Sequence, residues 1–236
     1  MPKEKLSIII PTYNEGENIP VLIKKLNRML WKNAIDAEII IVDDNSPDGT
    51  GRLCAALSKR QKNIVVLQRP GKLGLSSAVI DGFKKAGGSV VVVMDADLSH
   101  PVETVAKMFA EIKNGADLVI GSRYASGGST SGWPLERKIT SWGATMAAKL
   151  FTKIRDPVSG FFMFRREVIK GVKLSPVGYK IGLEVIAKGR YKKAVEVPYT
   201  FVNRKAGKTK LDVREYVNYL RQVVSLAAYR LSGRLK

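Results

Sequence analysis

Asp95 and Asp97 are separated by one residue and follow the apolar run Val90 to Met94. Two hard oxygen donors at that spacing can hold one Mg²⁺ or Mn²⁺, and such an ion bridges a diphosphate. The plainer alternative is that one carboxylate caps the next helix, although Ser99 is the better cap candidate. Three other polar segments leave apolar runs in the same way: Pro11 to Glu15, Asp43 to Ser46, and Gly121 to Tyr124. Arg137 and Ser141 are four apart on a helical pattern and so share a face. Together with Arg123 they provide two guanidinium groups and a hydroxyl, a set suited to a phosphate. His100 is the only histidine. It is expected as a loop residue set by Pro101 rather than as a general base. Cys54, among Leu53, Ala55 and Leu57, is expected in the core. Trp133 and Trp142 flank Arg137; they either pack or seat an amphipathic surface at a membrane.

Two look-alikes are set aside. Gly71-Lys72-Leu73-Gly74 lacks the dinucleotide spacing and follows the third strand, not the first. Gly207-Lys208-Thr209 resembles the end of a phosphate loop, but the required first glycine is Val202.

The elements that must carry these residues follow from periodicity. Leu6 to Ile10, Ile39 to Val42, Ile64 to Gln68, Val90 to Met94 and Leu118 to Gly121 read as buried strands. Between them, Ile19 to Leu30, Thr50 to Lys59, Ser76 to Lys85 and Val102 to Lys113 read as amphipathic helices. That alternation predicts an α/β fold with a mostly parallel sheet covered on both faces. Ligands of such sheets sit outside the carboxyl ends of the strands, where the polar segments converge. Beyond residue 121 the pattern predicts a long loop over Tyr124 to Pro134, a helix over Glu136 to Phe151 and a strand over Phe161 to Phe164. A helix over Ile181 to Ala187 follows, then an alternating strand from Val195 to Phe201. Asn203 to Lys210 is a basic loop. A final helix over Asp212 to Leu231 places Val213, Tyr216, Val217, Leu220, Val223, Val224 and Ala227 on one face.

The 236 residues are 45% hydrophobic and 26% charged, which excludes disorder as the main state. One cysteine excludes an internal disulfide. No run is long enough to span a bilayer and no leader pattern is present, so a cytoplasmic protein is expected. The formal charge is +19, and residues 165–236 hold 18 basic against five acidic side chains. Such a surface suits anionic lipid, polyphosphate or nucleic acid. A nucleic acid is not expected, because carboxylates gathered at strand ends repel phosphates unless a metal intervenes.

Pro11 to Glu15, Val42 to Thr50, Met94 to His100 and Gly121 to Tyr124, taken together, resemble the inverting family 2 glycosyltransferases. The resemblance runs from about Leu6 to Leu231. It implies a GT-A fold over 1–211, with 212–236 as an amphipathic helix at a membrane interface. It also implies transfer of mannose from GDP-mannose to dolichyl phosphate on the cytoplasmic face of a membrane. The near alternative is UDP-glucose or another nucleotide sugar with the same kind of lipid. By the same resemblance Pro11, Tyr13, Glu15, Val42, Asp44 and Ala96 line the donor. Asp95 and Asp97 hold the metal, with Ser99 as a further ligand in some relatives only. Asp95, Asp97 and Arg123 carry the catalysis, and Arg123, Arg137 and Ser141 grip the lipid phosphate. Arg204 and Lys210 close over the donor. A phosphate monoester is already anionic, so it needs positioning rather than deprotonation. Its attack opposite the leaving GDP converts an α-linked donor into a β-linked product. The chain stops at Lys236, just after the amphipathic helix. That leaves three readings: a soluble form, a form that works with a membrane subunit, or a chain cut short of membrane helices.

Overall fold

A computed structural model describes residues 4–175, 177–202 and 213–231. Strands β1 (Leu6–Thr12), β2 (Ala37–Asp43), β3 (Ile64–Gln68), β4 (Val90–Val93), β5 (Leu118–Ser122), β7 (Phe162–Arg165) and β8 (Ala194–Pro198) form one sheet. Their order is β3-β2-β1-β4-β7-β5-β8. Six of these strands run parallel; β7 alone is reversed, paired antiparallel with β4 and β5. Two short strands, β6 (Ser129–Ser131) and β9 (Thr200–Val202), pair separately.

The strand residues alternate between two cores, as the twofold period of a strand requires. Ile8, Ile10, Ile39, Ile41, Val90 and Val92 face helices α1 (Ile19–Lys32), α2 (Thr50–Arg60) and α4 (Val102–Lys113). Ile9, Ile40, Val91 and Val93 face α3 (Leu75–Lys85) and α6 (Ile181–Lys188). Cys54 is buried in the first core, as expected. A third cluster joins α5 (Leu135–Ala148), α6 and α7 (Val213–Leu231) through Ala148, Leu183, Ala187, Tyr219 and Leu226.

This topology positions the site. The carboxyl ends of β1, β2, β4 and β5 open on one edge of the sheet. Because β7 is reversed, its first residues lie at that same edge: Phe162 stands opposite Val93 and Ile120. The turn 156–160 that enters β7 is thereby placed between the ends of β4 and β5. Gly121 permits this approach, since a Cβ there would lie 2.7 Å from the Phe161 ring.

Three expectations need correction. Residues 124–134 are not all loop, because Ser129–Ser131 pairs with Thr200–Val202. The single strand expected over 195–201 is two strands in different sheets, broken at Tyr199. Ser99 does not cap α4; Pro101 holds that position with no side-chain cap.

Glu38 fastens the opposite edge of the sheet. Its carboxylate accepts from Ser7 Oγ (2.6 Å), Gly87 N (2.7 Å) and Gly88 N (3.2 Å). Burial works against the charge, but these bonds and Lys5 hold the pKa below its ordinary 4.5. A lowered folded pKa gives stability that is present above about pH 4.5 and lost as pH falls through the folded value. Glu38→Gln is therefore expected to cost about 1–2 kcal/mol at pH 7. In urea titrations the gap between variant and wild type should narrow as pH falls from 4.5 through the lowered folded pKa.

Candidate active site

The first two strand ends are laced to each other. Asp43 accepts from Thr12 Oγ1 (3.0 Å), Ser46 N (3.0 Å) and Ser46 Oγ (2.5 Å). Asp48 accepts from Thr50 N, Thr50 Oγ1 and Gly16 N. Desolvation opposes the Asp48 charge, yet these donors hold its pKa below the usual carboxylate value. Thr50 Oγ1 in turn accepts from Glu15 N at 3.0 Å. Asn14 and Asn45 take left-handed φ of 58° and 55°, which asparagine tolerates better than most residues. The acidic stretch after β2 therefore works as a latch that shapes the β1–α1 turn.

Of the residues expected at the donor, Pro11, Tyr13 and Glu15 lie together on that turn, half-buried, beside the buried Val42. The Lys72 ammonium stands 4.2 Å from the centre of the Tyr13 ring. Asp44 is buried and engaged: it pairs with Arg69 and accepts from Gly74 N at 2.8 Å. Arg69 also reaches Gly74 O and Ser77 Oγ. Asp44 thus anchors the loop before α3, and its reach toward a donor is through the loop it fixes. Arg204 and Lys210 lie outside the described residues.

At the end of β4, Asp97 is 7% exposed, whereas the Asp95 carboxylate is 37% exposed. Asp97 accepts from Ser99 N at 3.1 Å. Leu98 between them has φ 63°, a strained conformation for leucine that turns the chain sharply. Ala96 is buried beside the pair. Ser99 Oγ is fully buried with no hydrogen-bond partner among the described residues, so it can serve as a further oxygen donor. Among the described residues no group of three or more His, Cys, Asp and Glu is arranged to hold a metal ion, although His100 Nε2 lies 3.8 Å from Asp95 Oδ2. Two carboxylates and a hydroxyl fit a hard divalent cation whose remaining positions go to diphosphate or water.

His100 does more than the sequence suggested. It is buried, stacked 4.6 Å from Phe161 and edge-on to Tyr199 and Phe201. Its Nδ1 accepts from Asp95 N at 3.0 Å. Burial lowers its pKa against the pull of Asp95 and Asp97, so the ring stays neutral and keeps that acceptor. His100 is a positioning residue for Asp95.

The basic side of the site lies at β5 and α5. Arg123 is 8% exposed and bound at both ends by the fully buried Asp156. Nε donates to Oδ2 at 2.7 Å, Nη2 to Oδ1 at 2.6 Å, and the Arg123 backbone N–H to Oδ2 at 2.9 Å. Burial opposes the guanidinium charge, but Asp156 raises its pKa further. Trp133, also buried, stands between two cations: Arg137 at 4.1 Å and Arg123 at 5.2 Å from its ring. Phe201 lies 5.2 Å from Arg137. Tyr124 Oη and Ser141 Oγ are 2.9 Å apart. The structure thus gathers Arg123, Arg137 and Ser141 at one corner. It adds Asp156, for which sequence spacing held no signal, and shows that Trp133, expected beside Arg137, packs between the two guanidinium groups.

A second surface adjoins that corner. Leu135, Ile139, Trp142 and Met146 run along α5, with Leu150 just beyond its end, and all are exposed, Trp142 at 64%. Of the α7 face expected to be apolar, Val217, Leu220 and Val224 are exposed, while Val223 packs against the third cluster. The packed face also carries Tyr219, Gln222 and Leu226, with Tyr219 Oη donating to Ala144 O. Among the described residues no helix is long and apolar enough to cross a membrane.

Comparison with known proteins agrees with this geometry. Residues 7–172 match the model of glycosyl transferase family 2. The chain is 47% identical over 226 residues to the dolichol-phosphate mannosyltransferase of Pyrococcus furiosus, covering 94% of this chain and 63% of that protein. It is 38% identical over 237 residues to the enzyme of the same name from Saccharomyces cerevisiae, covering 96% and 88%. The chain therefore spans less than two thirds of the archaeal relative's length. Among solved structures, a mannosyltransferase from Pyrobaculum calidifontis in complex with GDP-Man and Mn²⁺ superposes with a TM-score of 0.67. It is 18% identical, over 94% of this chain and 65% of that one. The α/β GT-A architecture expected above is the one observed. A parallel sheet with an acidic pair at the end of β4, matched by the family model and by relatives over nearly its whole length, makes this chain a member of glycosyltransferase family 2.

Proposed function

We propose that the protein transfers mannose from GDP-mannose to dolichyl phosphate with inversion, giving dolichyl β-D-mannosyl phosphate. The observation that carries this reading is the helix α5. It presents Arg137 and Ser141 to the site and, on the same helix, an exposed apolar stripe from Leu135 to Met146. A phosphate with a long hydrocarbon tail is the acceptor that uses both. The relatives' names supply the mannosyl group and the dolichol phosphate.

Residues 1–211 are assigned as the catalytic domain and 212–236 as a membrane-interface element. The exposed apolar residues of α5 and α7, with the basic final third of the chain, suit a peripheral site on the anionic cytoplasmic face of a membrane. Pro11, Tyr13, Glu15, Val42 and Ala96 line the donor, with Asp44 holding the adjoining loop. Arg204 and Lys210 are assigned to the donor phosphates from the family pattern. Asp95 and Asp97, with Ser99, would hold Mg²⁺ or Mn²⁺, which offsets charge on the leaving diphosphate. Arg123 and Arg137 hold the acceptor phosphate in line for attack on the anomeric carbon. His100 keeps Asp95 in place and moves no proton, because the acceptor arrives ionised.

The test is a transfer assay with Mg²⁺ or Mn²⁺, detergent and a dolichyl phosphate analogue. Radiolabelled GDP-mannose and UDP-glucose are offered separately. Label reaching the organic phase from GDP-mannose alone is the expected result. Label from UDP-glucose alone moves the donor assignment. Label from neither counts against this chain acting alone and directs attention to a membrane subunit.

Arg137→Ala is expected to raise the acceptor KM by about 10- to 100-fold, the loss of one charged hydrogen-bond donor. Donor KM should change less than threefold. Equal losses for both substrates would place Arg137 on the wrong side of the site.

A further inference from the structure

Lys180 immediately precedes α6, and its side chain is half-buried. Its Nζ donates to the carbonyl oxygen of Val158 at 2.8 Å. That carbonyl belongs to the turn 156–160, which also carries Asp156. The main chain at Lys180 is held in turn, since Gln222 Nε2 donates to its carbonyl at 3.0 Å. The far end of the turn 156–160 lies against the acidic pair, since a Cβ on Gly160 would stand 3.9 Å from Asp95 Oδ2. Burial first, then the nearby Arg123, lowers the Lys180 pKa to about 7, against the pull of Asp156 and Asp95.

The charge balance of this corner points to a role. Arg123 is neutralised by Asp156 along both edges of its guanidinium. The Lys180 ammonium donates to a neutral carbonyl rather than to a carboxylate, so its charge adds to that corner. A phosphate monoester carries close to two negative charges above about pH 6. An ammonium crowded by another cation gains most when such a dianion arrives, because the new charge favours its protonated form.

We propose that Lys180 is a third phosphate-binding cation of the acceptor site, donating to a non-bridging oxygen of the lipid phosphate beside Arg137. This rests on the lipid-phosphate reading above. Asp156 then acts as a positioning residue, fixing Arg123 so that the phosphate is met from three sides. Lys180 stands 57 positions from Arg123 in the chain and belongs to none of the segments that carried the family resemblance.

The test uses farnesyl phosphate as a probe, with binding to the full chain measured by calorimetry, and GDP with Mn²⁺ as the control ligand. The variants are Lys180→Met, Lys180→Gln and Lys180→Arg. Glutamine retains a donor for Val158 O without charge, so a folded neutral variant is available if methionine disturbs the turn. Both neutral variants should weaken farnesyl phosphate binding by about 10- to 100-fold. GDP binding should stay within about twofold, and arginine should recover most of the loss. In transfer assays the same variants should raise the acceptor KM and leave the donor KM unchanged. Undiminished farnesyl phosphate binding by a folded neutral variant overturns the proposal. So do equal losses for both ligands that arginine does not rescue, since they mark a purely structural lysine. Absence of farnesyl phosphate binding by the wild type overturns it together with the lipid-phosphate reading. Wild-type binding without mannosyl transfer counts against the donor assignment alone and leaves the Lys180 comparison decisive.

Discussion

Asp97→Ala is expected to lower mannosyl transfer by about 10³-fold or more, with the fold retained. A metal ion on a leaving diphosphate supplies several kcal/mol of transition-state stabilisation. Loss of about 4 kcal/mol corresponds to about three orders of magnitude in rate. The structural cost is much smaller. Asp97 accepts from Ser99 N, and loss of that bond costs about 1 kcal/mol. Removing one of two neighbouring carboxylates also relieves like-charge repulsion in the empty site. Three measurements separate the effects: initial transfer rate, thermal midpoint, and Mn²⁺ binding in the presence of GDP followed by electron paramagnetic resonance. Rate and Mn²⁺ affinity should fall together while the midpoint moves by only a few degrees. A folded Asp97→Ala protein with full activity would remove the metal-site assignment.

Asp156→Ala carries the largest expected cost to stability. It leaves the Arg123 guanidinium buried without its counter-charge and takes the acceptor from the Arg123 backbone N–H. Breaking a buried pair by removing one partner costs about 3–5 kcal/mol. For a chain of this size that is roughly 6–20 °C in thermal midpoint. Activity should fall as well, because Arg123 no longer holds one geometry beside Trp133. A paired replacement separates these roles. Arg123→Met with Asp156→Leu removes both charges, and such exchanges are often neutral or stabilising. The double variant should recover most of the lost stability and none of the lost transfer. An Asp156→Ala protein with unchanged midpoint would show that the pair does not support the site.

Much of this was legible along the chain. The strands Ile8 to Ile10, Ile39 to Val42 and Val90 to Val93 are continuous β-branched runs, which only a sheet covered on both faces accommodates. The helices between them carry a single apolar stripe, so their existence and inward face follow from local periodicity. Once those elements alternate, polar strand ends must share one edge, and Asp95, Asp97 and Arg123 are thereby brought near one another.

Other features depended on contacts between distant segments. Reversal of β7 brings Asp156 to Arg123 across 33 residues, and nothing near either residue specifies that pairing. That Asp44 pairs with Arg69 and holds Gly74 N is likewise decided across distant segments, 25 and 30 residues apart. His100 read as a loop residue because its stack on Phe161 and its bond to Asp95 N need the assembled edge. Helix α7 has two apolar faces. Periodicity selects Val217, Leu220, Val223 and Val224, while contact with α5 and α6 takes only Val223 of these and buries Tyr219 and Leu226 beside it. The sequence by itself determined the layered fold and the acidic strand end, because both arise from interactions of period two or 3.6 within single elements. Only the tertiary structure decided the partners of Arg123, the setting of Trp133 and Lys180, and the face α7 presents. Each of these is a choice among surfaces equally apolar or equally charged, made by shape and charge complementarity between elements far apart in the chain.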